Sequence, residues 1–218
     1  MPDTTHQMIL GGEISRATPT WSCRGKAAFD DCLKLYIPLG GQAEVHLRDE
    51  RTSFSTDRVY LFNATTLESQ VCQEFFDHCW VHFTPASLML KKVFYKMFTL
   101  ASWPRSDLPF TEELVSGIVE LTRQKADIVS RARGDEVIRG AIHLADEAFY
   151  FKIQSYLSYL LGDCLAEQRL AISIKERAAL DRLLPAVNYM DEQFESNPSL
   201  ETVSRTAGMA PSHFHRQF

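Results

Sequence analysis

The sequence predicts an α+β chain, and three observations predict it. Apolar and polar residues alternate with a period of two through much of the first 110 residues, which is the spacing of half-buried strands. From Thr111 the apolar residues recur at three and four instead. The last forty residues hold two short helical stretches around a glycine-containing turn. A small β-barrel or jelly roll, a long helical middle and a terminal helix pair are therefore expected in that order.

The strands come first. Leu33, Leu35, Ile37 and Leu39 alternate with Lys34, Tyr36 and Pro38. Gly40-Gly41 punctuates, and Ala43, Val45 and Leu47 then alternate with Glu44, His46 and Arg48. Asp49-Glu50-Arg51 reads as a turn. Arg58 to Phe62 is a short apolar run closed by Asn63-Ala64-Thr65-Thr66. From Phe76 the alternation returns, with Cys79, Val81 and Phe83 on one side and His78, Trp80 and His82 on the other. Thr84-Pro85 ends that strand, because proline cannot donate to a ladder.

In the middle, Leu114, Val115, Ile118, Leu121 and Ile128 follow helical spacing, with Thr111 as N-cap and Glu112 and Glu113 in the first turn. Gly134 and Asp135 read as a stop and a new start. Ile138, Ile142, Ala145, Phe149, Ile153, Tyr156, Leu160 and Cys164 then predict a helix of about seven turns. So long a stripe is expected either to pack on the barrel or to self-associate. Leu170 to Lys175 is a connector. Beyond it a helix capped by Asp181 carries Leu184, Val187, Met190 and Phe194. Ser199 caps a short helix with Leu200, Val203 and Ala207 inward. Gly208-Met209-Ala210 is the turn, and Pro211 opens a last helix with Phe214 and Phe218 inward.

Composition excludes whole classes. The 218 residues are 45% apolar and 23% charged, which suits a folded globular chain and not a disordered or fibrous one. No run of about 18 apolar residues predicts a membrane span, and Met1 to His6 lacks a signal-peptide pattern, so the expected location is cytoplasmic. Five cysteines without CxxC spacing predict reduced, mostly buried thiols. GxSxG, Walker and GxGxxG motifs are missing, and no cofactor is expected.

The charge distribution matters more than its sum. Lys and Arg number 23 against 28 Asp and Glu, a net −5, so any contact with nucleic acid must come from a local basic face. Between Thr202 and Phe218 the charged residues are Arg205 and Arg216, with no acid. With Phe214 and Phe218 inward, Ser212 and Arg216 point away from the core, flanked by His213 and His215. An exposed arginine with small polar neighbours is the set that a helix in the major groove needs.

The stretch from Pro198 to Phe218 resembles the first helix-turn-helix of the AraC/XylS family of bacterial transcription regulators. Leu200, Ala207, Gly208, Phe214, Arg216 and Phe218 match the family pattern. Upstream, His78 to Phe83 with the preceding strands is similar to the family's cupin-like sensor barrel, and the helical middle to its dimerising and linking helices. The resemblance implies four parts: a cupin-like effector-sensing β domain over 1–110, a helical dimerisation segment over 111–168, a linker over 169–177, and a partial DNA-binding domain over 178–218. Two departures stand out. Ala210 replaces the serine that would cap the recognition helix, and the family's second helix-turn-helix is missing, so the chain is expected to be a fragment or truncation of a longer regulator that binds DNA weakly by itself.

The implied function is an effector-responsive, sequence-specific DNA-binding transcription regulator that is not an enzyme. Its implied partners are promoter or operator DNA, a small-molecule effector such as a sugar, a second copy of the chain in a homodimer, and RNA polymerase if it activates. DNA contact falls to Ser212, His213, His215, Arg216 and Arg205. Effector contact falls to Trp80, His78 and His82, which share a strand face, with Tyr36 and His46 as further candidates. Two alternatives compete. One is a sensor and dimerisation module without competent DNA binding. The other is a metal-dependent cupin enzyme using Glu44, His46, His78 and His82, although residues four apart on a strand lie about 13 Å from each other.

Overall fold

The computed structural model describes residues 7–17, 21–25, 30–48, 50–85, 88–124, 130–133, 136–140, 147–167 and 174–217. The chain is α+β, as its two apolar periods predict. Its sheet is organised around two long strands, β3 (Leu33–Leu47) and β6 (Leu67–Thr84), which pair antiparallel from Leu33 opposite Phe83 to Leu47 opposite Leu67. On its other edge β3 is shared: β5 (Arg58–Asn63) pairs with Leu33 to Tyr36, and β4 (Glu50–Ser53) with Glu44 to Leu47. β6 is shared likewise, between β2 (Cys23–Arg24) at Ser69 and Gln70 and β1 (Gln7–Ala17) from Phe76 to Thr84. β7 (Leu100–Pro104) lies outside β5, while β9 (Glu136–Gly140) and then β8 (Ser130–Arg133) lie outside β1.

Gly40-Gly41 does not end a strand. The β3–β6 register shifts between Pro38 and Gly40 and again between Gly41 and Ala43, so the pair is one continuous strand with bulges. Gly41 has φ +79, and a Cβ there would stand 2.1 Å from the Phe75 carbonyl oxygen, so only glycine fits. The shifts also change which residues face inward. Before them Tyr36 lies on one face; after them Ala43, Val45 and Leu47 join that same face. β6 likewise starts at Leu67, nine residues before the visible alternation, because its first half is set by pairing rather than by a clean period of two.

Two cores follow, one on each face. Leu33, Leu35, Ile37, Val59, Leu61, Cys79, Val81 and Phe83 pack with three helices, α1 (Leu88–Met97), α2 (Thr111–Gln124) and α3 (Glu147–Glu167). Tyr36, Val45, Leu47, Phe54, Tyr60, Phe62, Phe76 and Trp80 fill the other face. Asn63, fully buried, ties the layers together: its side-chain amide donates to the carbonyls of Phe94, Tyr95 and Phe98 at 3.1 Å, and its oxygen accepts from the Thr65 backbone. The five cysteines are free, and all but Cys23 are buried.

The helical segments differ from expectation in four places. Thr111 is the first residue of α2 and is buried, its hydroxyl bonded to Leu108 and to Tyr156 Oη at 2.9 Å, so it acts as a packing link. Ile138 lies in β9 opposite Ile14, so the predicted seven-turn helix begins only at Glu147, and the segment 111–168 is not wholly helical. From Phe149 onward the stripe holds: Phe149, Ile153, Tyr156, Leu160 and Cys164 are buried against the sheet. Ile128, Ile142 and Ala145, like the Gly134-Asp135 break, lie outside the described residues.

α4 (Ile174–Glu192) starts seven residues before Asp181, which is exposed within the helix, and carries Pro185 inside it. It buries Leu180, Leu183 and Ala186 while Leu184 is 45% exposed, a face offset by one position from the one expected. The packing partners set that face: Leu183 and Ala186 meet Val203 of α5 (Leu200–Thr206) and Phe214 of α6 (Pro211–Gln217).

Candidate functional site

The even-numbered face of β3 and β6 gathers aromatic and imidazole rings. Tyr36 stands opposite Trp80 and Lys34 opposite His82. The fully buried His78 stacks on Phe76 at 4.3 Å between centroids, 4.8 Å from Tyr36 and 5.5 Å from Trp21. His82 lies 4.7 Å from Trp80 and 6.3 Å from Tyr36. Trp21, half-buried just before β2, also contacts Phe76 and Tyr36, and so covers this end of the cluster.

Polar atoms in the cluster are poorly served by the protein. Trp80 Nε1, His82 Nε2, Gln70 Oε1 and Thr84 Oγ1 are buried without a hydrogen-bond partner, and neither ring nitrogen of His78 makes a well-formed hydrogen bond. Each such group forgoes roughly 1–3 kcal/mol unless something meets it. Burial pushes His78 down to about 3, a drop only partly offset by the Phe76 backbone, and burial with the nearby Lys34 ammonium pushes His82 down to about 3. Both rings are therefore neutral at physiological pH, each offering one donor and one acceptor. Burial raises the Tyr36 hydroxyl to about 12.

Of the five residues expected to meet an effector, the structure brings four together: Tyr36, His78, Trp80 and His82. His46 is not among them. It follows the bulges, on the opposite face from Val45 and Leu47, and bonds Glu44 at 3.2 Å, while Arg51 clamps that carboxylate at 2.7–2.9 Å. Arg51 and His46 hold the Glu44 carboxyl below its ordinary value. The set Glu44, His46, His78 and His82 therefore does not converge. Sequence reasoning missed Trp21, Gln70 and Phe54, which reach the cluster through contacts with residues far away in the sequence. It also passed over Lys34, although its parity with Tyr36 was visible.

A second feature lies on the helical side. α2 and α3 border an apolar groove of about 470 Å³ lined by Phe110, Leu114, Phe149, Phe151, Tyr156 and Tyr159. Phe110 is 71% exposed and has φ +66, an unusual backbone for a bulky residue. Lys152 and Glu113 pair across its rim.

The terminal helices are built by local signals. Ser199 caps α5, its hydroxyl accepting from the Thr202 backbone at 3.2 Å. The helix ends in a Schellman motif: Met209 N–H donates to the Ser204 carbonyl and Gly208 N–H to the Arg205 carbonyl, with Gly208 at φ +63. α6 opens at Pro211, with the Ala210 carbonyl accepting from His213 and Phe214. Phe214 is buried, whereas Ser212, His213, His215 and Arg216 are exposed, as is Arg205 on α5. All five expected contact residues thus face solvent near one another in the chain. Phe218 lies outside the described residues.

No protein-family model and no curated protein matches the chain. Among solved structures it is similar to the AraC-like transcriptional activator CuxR, at 11% identity and a TM-score of 0.40, covering 95% of this chain and 67% of that one. It is also similar to ToxT from Vibrio cholerae in an apo form, at 10% identity and a TM-score of 0.35, with 97% and 92% covered. The same protein bound to a methylnaphthalenyl butenoic acid gives 10% identity and a TM-score of 0.34, with 98% and 94% covered. These neighbours are AraC-like regulators. Among the described residues, no helix is long and apolar enough to cross a membrane.

Proposed function

We propose that the chain is the sensor and first DNA-reading unit of an effector-responsive transcription regulator. The observation that carries this reading is α6: it buries Phe214 and turns Ser212, His213, His215 and Arg216 outward, beside Arg205, with no carboxylate between Thr202 and Gln217. Read as a helix-turn-helix, α5 and α6 present Arg216 to base edges and Arg205 to the phosphate backbone. The curled face of β3 and β6, read as a cupin-like barrel, takes a small effector. A flat ligand, a sugar ring included, stacks on Trp80 or Trp21 and hydrogen-bonds to His78, His82 and Gln70. Because Trp21 covers the cluster, a ligand that displaces it shifts the preceding strand β1, and through β1 the strand β9. The exposed Phe110, Phe151 and Tyr159 along α2 and α3 form the homodimer face.

Fluorescence anisotropy of a labelled duplex at low salt tests the DNA-reading part. Binding by the chain is expected to fall steeply as salt rises, and Arg216→Ala is expected to weaken it about tenfold, the scale of one good bidentate contact. Undetectable binding by the unaltered chain at low salt, or equal binding by Arg216→Ala, contradicts it.

A further inference from the structure

We propose that Asp30, Cys32 and His82 form a binding site for a thiophilic divalent cation, zinc foremost, where the start of β3 meets the end of β6. One carboxylate oxygen, the Cys32 Sγ and one imidazole nitrogen all lie within 4.8 Å of one another. Strand geometry puts them there. Cys32 directly precedes β3 on the parity of Lys34, and Lys34 stands opposite His82 on β6. The segment carrying Asp30 and Cys32 is fixed to the turn after β5, since the Cys32 carbonyl accepts from Ala64 N–H at 3.0 Å and Asp30 N–H reaches the Ala64 carbonyl at 3.5 Å.

His82 supplies an independent pointer. Its Nε2 is buried and has no hydrogen-bond partner, so a nitrogen able to act as a ligand is held inside the protein with nothing to bind. A cation is the kind of group that such an atom accepts. Tetrahedral zinc bound at about 2.0–2.3 Å holds its ligands about 3.3–3.8 Å apart, so closing the triad takes side-chain rotation and no strand movement.

The donor set selects the metal. A thiolate, an imidazole and a carboxylate together suit a borderline-soft ion such as zinc rather than magnesium or calcium, which take oxygen ligands. Lys34 bears on the same carboxylate. Its ammonium pairs with Asp30 Oδ2 at 2.5 Å, which fixes the orientation of the carboxylate. Two anionic ligands balance the ion, and the ammonium leaves the loaded cluster at +1. Three protein ligands leave a fourth position for water or a small ligand. This inference stands apart from the DNA-binding reading, and a cation on His82 leaves His78, Trp80 and Gln70 to meet an effector.

Cobalt(II) reports on the site, because a cobalt–thiolate bond gives a charge-transfer absorption in the near ultraviolet. The reduced, chelator-treated chain is expected to develop that band with one equivalent of cobalt and to lose it to one equivalent of zinc. Cys32→Ser should abolish it. Asp30→Asn, at a half-exposed side chain, leaves the fold unchanged by circular dichroism and should weaken cobalt binding at least tenfold. No band in the unaltered chain, or a band of equal affinity in Cys32→Ser or in Asp30→Asn, overturns the site.

Discussion

The sheet and the terminal helix pair solve opposite problems. The sheet is built from pairings between residues far apart in sequence, such as Leu33 with Phe83, and buries polar atoms it does not satisfy. The helix pair is built from neighbours: a Ser199 cap, a Schellman turn and a core of Leu183, Ala186, Val203 and Phe214. Its chemistry-bearing residues are all exposed. On the proposed reading, the difference separates the two activities. A site that must envelop a ligand needs distant strands and leaves donors waiting. A site that must meet a surface needs only a short helix, held rigidly and facing outward.

The contrast breaks most visibly at Phe214. With four buried residues in its core among those described, the helix pair should lose about 3–5 kcal/mol in Phe214→Ala, enough to unfold it. The sheet should keep its own transition. Proteolysis read by mass spectrometry should then cut within 200–217 and spare β3 and β6; cleavage spread over both regions would show that they fold as one unit. Asn63→Ala is the converse probe. It strands three carbonyls of the α1 region and should cost about 2–3 kcal/mol, lowering the urea midpoint of the sheet and leaving exchange in α5 and α6 unchanged.

Acid sharpens the comparison further. His78 titrates near 3 when folded and near 6.5 when unfolded. Above pH 6.5 neither state takes up the proton and its contribution is complete. As pH falls below that value the unfolded chain binds a proton that the folded chain refuses, and stability drops by about 1.4 kcal/mol per pH unit. His78→Phe, which keeps a ring against Phe76, should therefore lose about 2 kcal/mol less than the unaltered chain between pH 7 and pH 5. Equal losses in urea titrations at the two pH values would count against a buried, neutral His78. The smallest expected effect is on the helix side. Ala210→Ser supplies the side-chain acceptor that α6 lacks and should stabilise the helix pair by about 1 kcal/mol, seen as slower amide exchange at His213 and Phe214.

The same contrast explains what the sequence made legible. Ser199, Gly208 and Pro211 act within a few residues of themselves, so the ends of α5 and α6 and the outward set on α6 were readable directly. The parity of His78, Trp80 and His82 was readable for the same reason. The bulges at Gly40 and Gly41 were not, because their meaning lies in Phe75 across the ladder; without them His46 looked like a neighbour of Tyr36. Ile138 kept a helical interval with Ile142 by coincidence, and its pairing to Ile14, more than a hundred residues away, made it a strand. Asp181 looked like a cap because exposed acids in mid-helix and caps share a composition. Trp21 gave no periodic signal at all, since it stands outside the strands, just before β2.

On the proposed reading, one region meets DNA and the other does not. Hydrogen–deuterium exchange of the chain, with and without excess duplex DNA at low salt, tests it directly. Added protection across residues 200–217, with none along β3 and β6, is the expected result. Protection on the sheet with none in α5 and α6 would contradict it.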